Sequence, residues 1–332
     1  MGRYVRSVLR EFATRFADRV RLTLLVPDLV PWLTRGRYLA GLPDGIAVAR
    51  RAAAADLGLD VVWFPWNGMT WRAPVRAVAT VHDIWPFVAP APSAHVRARE
   101  QTQYRVAAER AASIIAVSSF TKRELVAHLN VAAERIVVIP QGVPPPLPVR
   151  TPALVAGSKR YVLFVGEVEP RKDVSTLLAA VRRLPDGMRR DTALVIAGRS
   201  RGVDGGSVPG IRLVLTGEIA DDAKLAAWYA GAAAFAFPSK YEGFGLPVLE
   251  AMSYGAPVVA SDAASIPEVG GDAALYFPCG DADALAAALA RVLQDDALAA
   301  RLSAAGKARA AQFDETTRAE HTLAVLESAA RT

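Results

Sequence analysis

The amino-acid sequence predicts an α/β protein of two doubly wound domains, and three observations carry that reading. Strand-like and helix-like segments alternate from end to end, the pattern of parallel sheets covered by helices. A proline-rich stretch, Pro144-Pro145-Pro146-Leu147-Pro148, interrupts the alternation near the middle and reads as an extended linker. The 332 residues suffice for two hydrophobic cores, and 52% hydrophobic content with 22% charge excludes disorder. The expected divisions are a domain over 1–148, a second over 149–313 and a closing helix over 314–332.

In chain order, the first element is an amphipathic helix with Val5, Val8, Leu9, Phe12 and Phe16 on one face and Arg3, Arg6 and Arg10 on another. Its apolar face suits packing on a sheet. Short apolar runs predict strands over 21–26, 60–64, 77–81, 113–117 and 136–139. After the linker the pattern restarts, with strands over 161–165, 193–197, 211–215, 233–237, 257–260 and 274–277. Alanine-rich helices are expected between them, such as 174–183 and 284–293, and an amphipathic helix over about 315–330 follows the last. The stretch 200–210, with four glycines, reads as a mobile surface loop.

Composition narrows the function classes. The longest apolar runs are strand-sized, short of the ~20 residues of a membrane span. The arginine-studded start lacks the apolar core of a secretory signal, so a cytoplasmic location is expected. The single cysteine, Cys279, excludes disulfides within the chain and reads as a buried bystander at the end of an apolar strand. The formal net charge of +6 is unevenly spread: residues 1–150 hold 20 Lys+Arg against 11 Asp+Glu, the remainder 19 against 22. The basic half suggests an anionic counterpart. No nucleic-acid motif accompanies it, so an anionic membrane surface or a phosphate-bearing acceptor is expected and nucleic acid is not. No GxGxxG follows a strand, which argues against a dinucleotide oxidoreductase.

The most informative string is PSKYEGFGLPVLEAMSYGAPVVAS, residues 238–261. A buried strand leads into a bare turn, Gly243-Phe244-Gly245, and then a helix from Leu246 whose Pro247 suits a first turn. Such a helix start offers backbone N–H groups and a partial positive charge to an anion. Two carboxylates flank the turn. Glu250 is a natural bidentate acceptor for vicinal hydroxyls, and phosphate donors beside diol acceptors describe a nucleotide-sugar site.

This segment resembles the donor-binding motif of the retaining glycosyltransferases of family 4, whose two acids lie eight positions apart, as Glu242 and Glu250 do. The resemblance implies the GT-B fold, two Rossmann-like domains facing across a cleft, with the last helix crossing back to the first domain. It also implies that the N-terminal sheet lacks its first strand, because family members usually reach a segment like GRYV only after a strand and a glycine-rich loop; a start site assigned too late is the alternative.

A second string, FVGEVEPRKD over 164–173, ends a strand at Gly166 and presents Arg171 and Lys172 before a helix. Two cations there suit a diphosphate leaving group, whose charge grows as the sugar departs. In family 4 such cations stand where other glycosyltransferases use a metal, so no metal or other cofactor is expected. Glu167 occupies a position where the family often has arginine, which leaves the phosphate role to Lys172 with Arg171 beside it. The resemblance assigns the sugar hydroxyls or the oxocarbenium face to Glu242 and the approach to the β-phosphate and sugar to Gly243, Phe244, Gly245 and Leu246. Thr216 and Gly217 take the base through backbone groups. His82, in ATVHDIWPF, follows a buried strand, where it can bond a sugar hydroxyl or accept a proton; spacing alone reads it as structural, and the resemblance makes it a catalytic candidate contacting the sugar. Ser118, Ser119 and Thr121 are N-cap options. The implied activity is transfer of a hexose from a nucleotide sugar to a glycan or polyprenyl-linked acceptor. GDP-mannose is favoured over a UDP-hexose, because the EPRK turn is similar to that of the family's mannosyltransferases. A nucleotide-sugar epimerase and a non-catalytic sugar-nucleotide binder remain as alternatives.

Overall fold

A computed structural model describes residues 2–27, 41–90, 93–200 and 210–331. The glycine-rich stretch 201–209, read above as a mobile loop, lies outside the described residues. The chain divides into two compact units, Met1–Gly142 with Asp314–Thr332, and Val143–Phe313. The first boundary falls six residues before the expected one. The reason is local: Val143 N–H donates to the Phe313 carbonyl at 2.8 Å and Leu147 N–H to the Tyr254 hydroxyl at 3.1 Å, which draws the proline segment onto the second unit.

Unit 1 opens with α1 (Arg3–Thr14) and then carries β1 (Thr23–Val26), β2 (Ala47–Arg50), β3 (Val62–Phe64), β4 (Ala77–Val81), α2 (Ala94–Arg110), β5 (Ser113–Ala116), α3 (Ser119–Leu129) and β6 (Ile136–Val138). Its strands form two parallel sheets, β1-β2 and β3-β4-β5-β6. Strand β2 is missed by the sequence pattern. Its four residues, AVAR, are only half-buried and lack a β-branched run. Among the described residues no strand precedes α1.

In β4 and β5 the side chains alternate between two cores, as a period of two requires. Val78 and Ile115 face α1, whereas Ala77, Ala79 and Ile114 join the core on the other side. Val5, Val8, Leu9 and Phe12 of α1 are buried against the same face as the C-terminal helix, whose Ala319, Leu323 and Leu326 join them.

Unit 2 consists of β7 (Arg160–Val165), α4 (Val174–Arg183), β8 (Thr192–Ala197), β9 (Arg212–Gly217), α5 (Asp222–Gly231), β10 (Ala234–Phe237), α6 (Leu246–Ser253), β11 (Val258–Ser261), β12 (Ala274–Phe277), α7 (Ala282–Gln294) and α8 (Asp296–Ala310). The closing helix α9 (Glu315–Arg331) belongs to unit 1. The six strands among the described residues of unit 2 are parallel in the order β12-β11-β10-β7-β8-β9, the doubly wound arrangement in which chain order reverses between β7 and β10. Strands β8 and β10 are buried along their whole length, which is why they read as continuous apolar runs.

Cys279 corrects one expectation. It is exposed, because β12 ends at Phe277 and the chain turns at Pro278 before α7. Among the described residues no helix is long and apolar enough to cross a membrane.

Candidate functional site

The point where strand order reverses leaves the carboxyl ends of β7 and β10 side by side. Both of the sequence's chemical strings start there. The turn after β7 carries Gly166, whose N–H donates to the Ala197 carbonyl at 2.9 Å, and ends in a single 3-10 turn, Pro170–Lys172. The turn after β10 is tied to it by Lys240, whose N–H donates to the Arg171 carbonyl at 2.7 Å and whose ammonium lies 3.2 Å from Asp173. Asp173 is buried and left-handed (φ 47), and accepts the Ser175 and Thr176 hydroxyls at 2.7 and 2.6 Å. Burial pushes its carboxyl up, but the hydroxyls and Lys240 outweigh burial and hold it below the ordinary value.

This stitching brings Lys172 and Glu242 together. The ammonium lies 2.6 Å from Glu242 Oε1 and 5.3 Å from the centroid of the Phe237 ring. Both side chains are buried, at 8% and 6% exposure. Arg171 approaches the same carboxylate at 4.0 Å and pairs with Glu169 at 3.0 Å. A buried ammonium paired to a carboxylate is matched in charge until an anion with more charge arrives.

The glycine turn then opens α6. Gly245 is its N-cap residue with φ 100, a conformation that disfavours a side chain. Beneath the turn, the Ser265 hydroxyl lies 2.9 Å from the Glu242 carbonyl and 2.8 Å from that of Phe244, within donating distance of either. The Phe244 ring is buried edge-on to Phe313, so this residue offers only its backbone to a ligand. Gly243, Gly245 and Leu246 line the same turn. Glu250 sits two turns into α6, where its Oε2 accepts the Tyr229 hydroxyl at 2.8 Å. Tyr229 and Ser265 escape sequence reading because their partners lie 21 and 23 residues away.

At the far side of β7, the ends of β8 and β9 close a cavity of about 310 Å³ lined by Val165, Gly166, Gly198, Arg199, Glu218 and Ile219 among others. The strands approach so closely that a Cβ on Gly198 would lie 2.1 Å from the Gly166 carbonyl oxygen. Thr216 donates to the Gly217 carbonyl at 2.9 Å, and Gly198 N–H donates to the same oxygen at 2.9 Å. Both lone pairs of that carbonyl are therefore engaged within the protein.

His82 stands in unit 1, just after β4. Its Nε2 lies 2.9 Å from the Pro65 carbonyl, which only accepts, so Nε2 carries the proton and Nδ1 accepts from the Gln141 amide at 3.2 Å. Its ring packs on Tyr4 and Trp66. Burial pushes its pKa below the ordinary value, and Arg318 acts in the same direction against Asp83 and Pro65. In this geometry both ring nitrogens have protein partners. Contact with a sugar requires one of these bonds to be released. Ser118 caps α3, its hydroxyl accepting from Thr121 N–H at 2.9 Å.

Two family models match the chain in succession. The description "Glycosyltransferase Family 4" matches residues 2–146, and "Glycosyl transferases group 1" matches residues 159–295. The O-antigen chain mannosyltransferase B of Escherichia coli is 39% identical over 259 residues, covering 72% of this chain and 66% of that protein. The phosphatidyl-myo-inositol mannosyltransferase of Mycobacterium leprae (strain TN) is 37% identical over 230 residues, 65% of this chain and 59% of that protein. The chain thus spans about two thirds or less of the length of these curated relatives. In fold, sucrose-phosphate synthase from Thermosynechococcus elongatus superposes with a TM-score of 0.76 at 21% identity, over 98% of this chain and 92% of that one. The architecture is that of GT-B proteins, with a Rossmann-like sheet in each unit. This chain belongs to glycosyltransferase family 4, the group 1 glycosyltransferases, and is mannosyltransferase-like.

Proposed function

We propose that the protein is a retaining hexosyltransferase that moves mannose from GDP-mannose to a glycan or polyprenyl-linked acceptor in surface-polysaccharide synthesis. The observation that carries the reading is the buried Lys172–Glu242 pair at the reversal point of the unit 2 sheet, beside the glycine turn that opens α6. In this reading Lys172, with Arg171, stabilises the diphosphate as the bond from sugar C1 to its oxygen breaks. Glu242 contacts the sugar or its oxocarbenium face. Glu250 takes the ribose hydroxyls, the first turn of α6 approaches the β-phosphate, and the cavity beside Thr216 and Gly217 takes the base. Two cations serve where a metal would otherwise neutralise the leaving group. The mannosyl donor is supported by the likeness to the two mannosyltransferases and by the EPRK turn. The basic N-terminal half supports peripheral contact with an anionic membrane from the cytoplasmic side.

A thermal-shift screen against GDP-, UDP- and ADP-sugars tests the reading, since a ligand that binds only the folded state raises its stability. GDP-mannose is expected to give the largest shift. No shift with any of the three classes rejects a donor site. A second reading, nucleotide-sugar binding without transfer, is favoured by His82, whose two ring nitrogens both have protein partners. A GDP-mannose shift with no release of GDP in the presence of candidate acceptors or water would support it.

A further inference from the structure

We infer that Tyr229 is a positioning residue for the carboxylate of Glu250, and that the pair together sets preference for a ribonucleotide over its 2′-deoxy form. The inference rests on the reading that Glu250 receives the ribose hydroxyls, and deepens it. Tyr229 lies on α5 and Glu250 on α6, so the contact joins two elements on either side of β10 in the chain. The phenol is 1% exposed, and its hydroxyl is 2.8 Å from Glu250 Oε2.

The ring has no room to swing. It stacks on Tyr254 with an interplanar angle of 2° and centroids 5.8 Å apart, and leans on Phe235 at 5.7 Å. Tyr254 is anchored in turn, its hydroxyl accepting the N–H of Leu147 at 3.1 Å. A buried phenol with a fixed ring holds whatever its hydroxyl bonds to. A carboxylate offers about four lone-pair sites, so one phenol orients it and still leaves acceptor capacity for a diol. Glu250 itself is half-buried at the edge of this aromatic stack. Without the phenol the contact that fixes Oε2 is lost, and vicinal hydroxyls are sensitive to orientation because both must be met at once.

The test compares GDP with 2′-deoxy-GDP, and UDP with 2′-deoxy-UDP, by calorimetry on the full chain. The unaltered protein is expected to bind one ribonucleotide more tightly than its deoxy form. Tyr229→Phe, which keeps the ring and its stack, is expected to weaken that ribonucleotide about fivefold, the scale of one net hydrogen bond. It should leave the deoxy form within about twofold, the size of the smallest net hydrogen-bond effects. In a Glu250→Gln background the same substitution should no longer change the ribo-to-deoxy ratio. Equal weakening of both nucleotides would make Tyr229 merely structural and overturn the inference, as would an unchanged ratio in Tyr229→Phe. Absence of any ribo-to-deoxy preference in the unaltered protein overturns the ribose assignment of Glu250 and this inference with it. Melting curves of each variant verify that affinities are read on folded protein.

Discussion

Lys172 and Glu242 show what one pair of side chains can do at the carboxyl edge of a parallel sheet. In the structure each neutralises the other at 2.6 Å inside the protein. A diphosphate entering beside them changes the balance: the lysine gains an acceptor of higher charge, and the glutamate becomes a like charge. Lys172→Ala is therefore expected to cut turnover by about a hundredfold or more, the usual scale for losing one charge-stabilising group. Near-normal turnover with GDP-mannose would remove the assigned role. Glu242→Gln separates binding from chemistry. Free GDP should bind more tightly when the neighbouring negative charge is gone, while transfer falls; calorimetry and a transfer assay read the two effects. Lys172, Glu242 and Glu250 are legible in the sequence because their strings are local. Tyr229 and Ser265 are ordinary in sequence and acquire meaning only from what the fold sets against them.

Among the elements, strands were easier to read than their pairing. Among the described residues, five of the six strands of unit 1 and all six of unit 2 coincide with apolar runs, because strands buried in parallel sheets need apolar residues on both faces. Strand β2 is the exception, because AVAR is exposed at both ends and closes on an arginine. The close approach of the turns after β7 and β8 had no sequence signal beyond two glycines. It leads to a specific expectation. Gly198→Ala would place a methyl 2.1 Å from the Gly166 carbonyl oxygen at a φ of 144, so backbone must move beside the proposed donor site. Nucleotide binding should be lost and the melting temperature lowered. Gly280→Ala is the control: with φ 83 and no atom within 4 Å of the new Cβ, it bears only conformational strain of about 1–2 kcal/mol and should leave binding intact.

At the scale of the molecule, unit 2 is continuous in sequence, whereas unit 1 is completed by α9 from the far end of the chain. Ala319, Leu323, Leu326 and Ala329 of α9 fill the core that α1 also faces, and the buried Arg318 donates to Ser7 at 2.6 Å. Truncation before Asp314 should therefore unfold unit 1 selectively, seen as loss of one melting transition while nucleotide still stabilises the other. His82 gives unit 1 a pH dependence of known sign. Burial depresses its pKa below 6.5, so the folded state holds it neutral. As pH falls below about 6.5 the unfolded chain takes up a proton that the folded one refuses, and stability drops until the folded pKa is reached. His82→Gln should flatten that part of the stability profile in thermal melts between pH 7 and 5. An unchanged profile would show that His82 is not the group responsible.

The class of the fold and the chemistry of the two charged strings are legible in the sequence, because apolar periodicity, glycine turns and charged residues at strand ends are local properties. Tertiary structure alone decided which charges meet. Lys172 and Glu242 are 70 residues apart, and they touch only because chain order reverses between β7 and β10 and sets their turns side by side. It likewise decided that His82 has both ring nitrogens bonded and that Glu250 accepts the Tyr229 hydroxyl. Hydrogen-bond partners of buried groups come from whatever the packing brings near, and no periodicity encodes that.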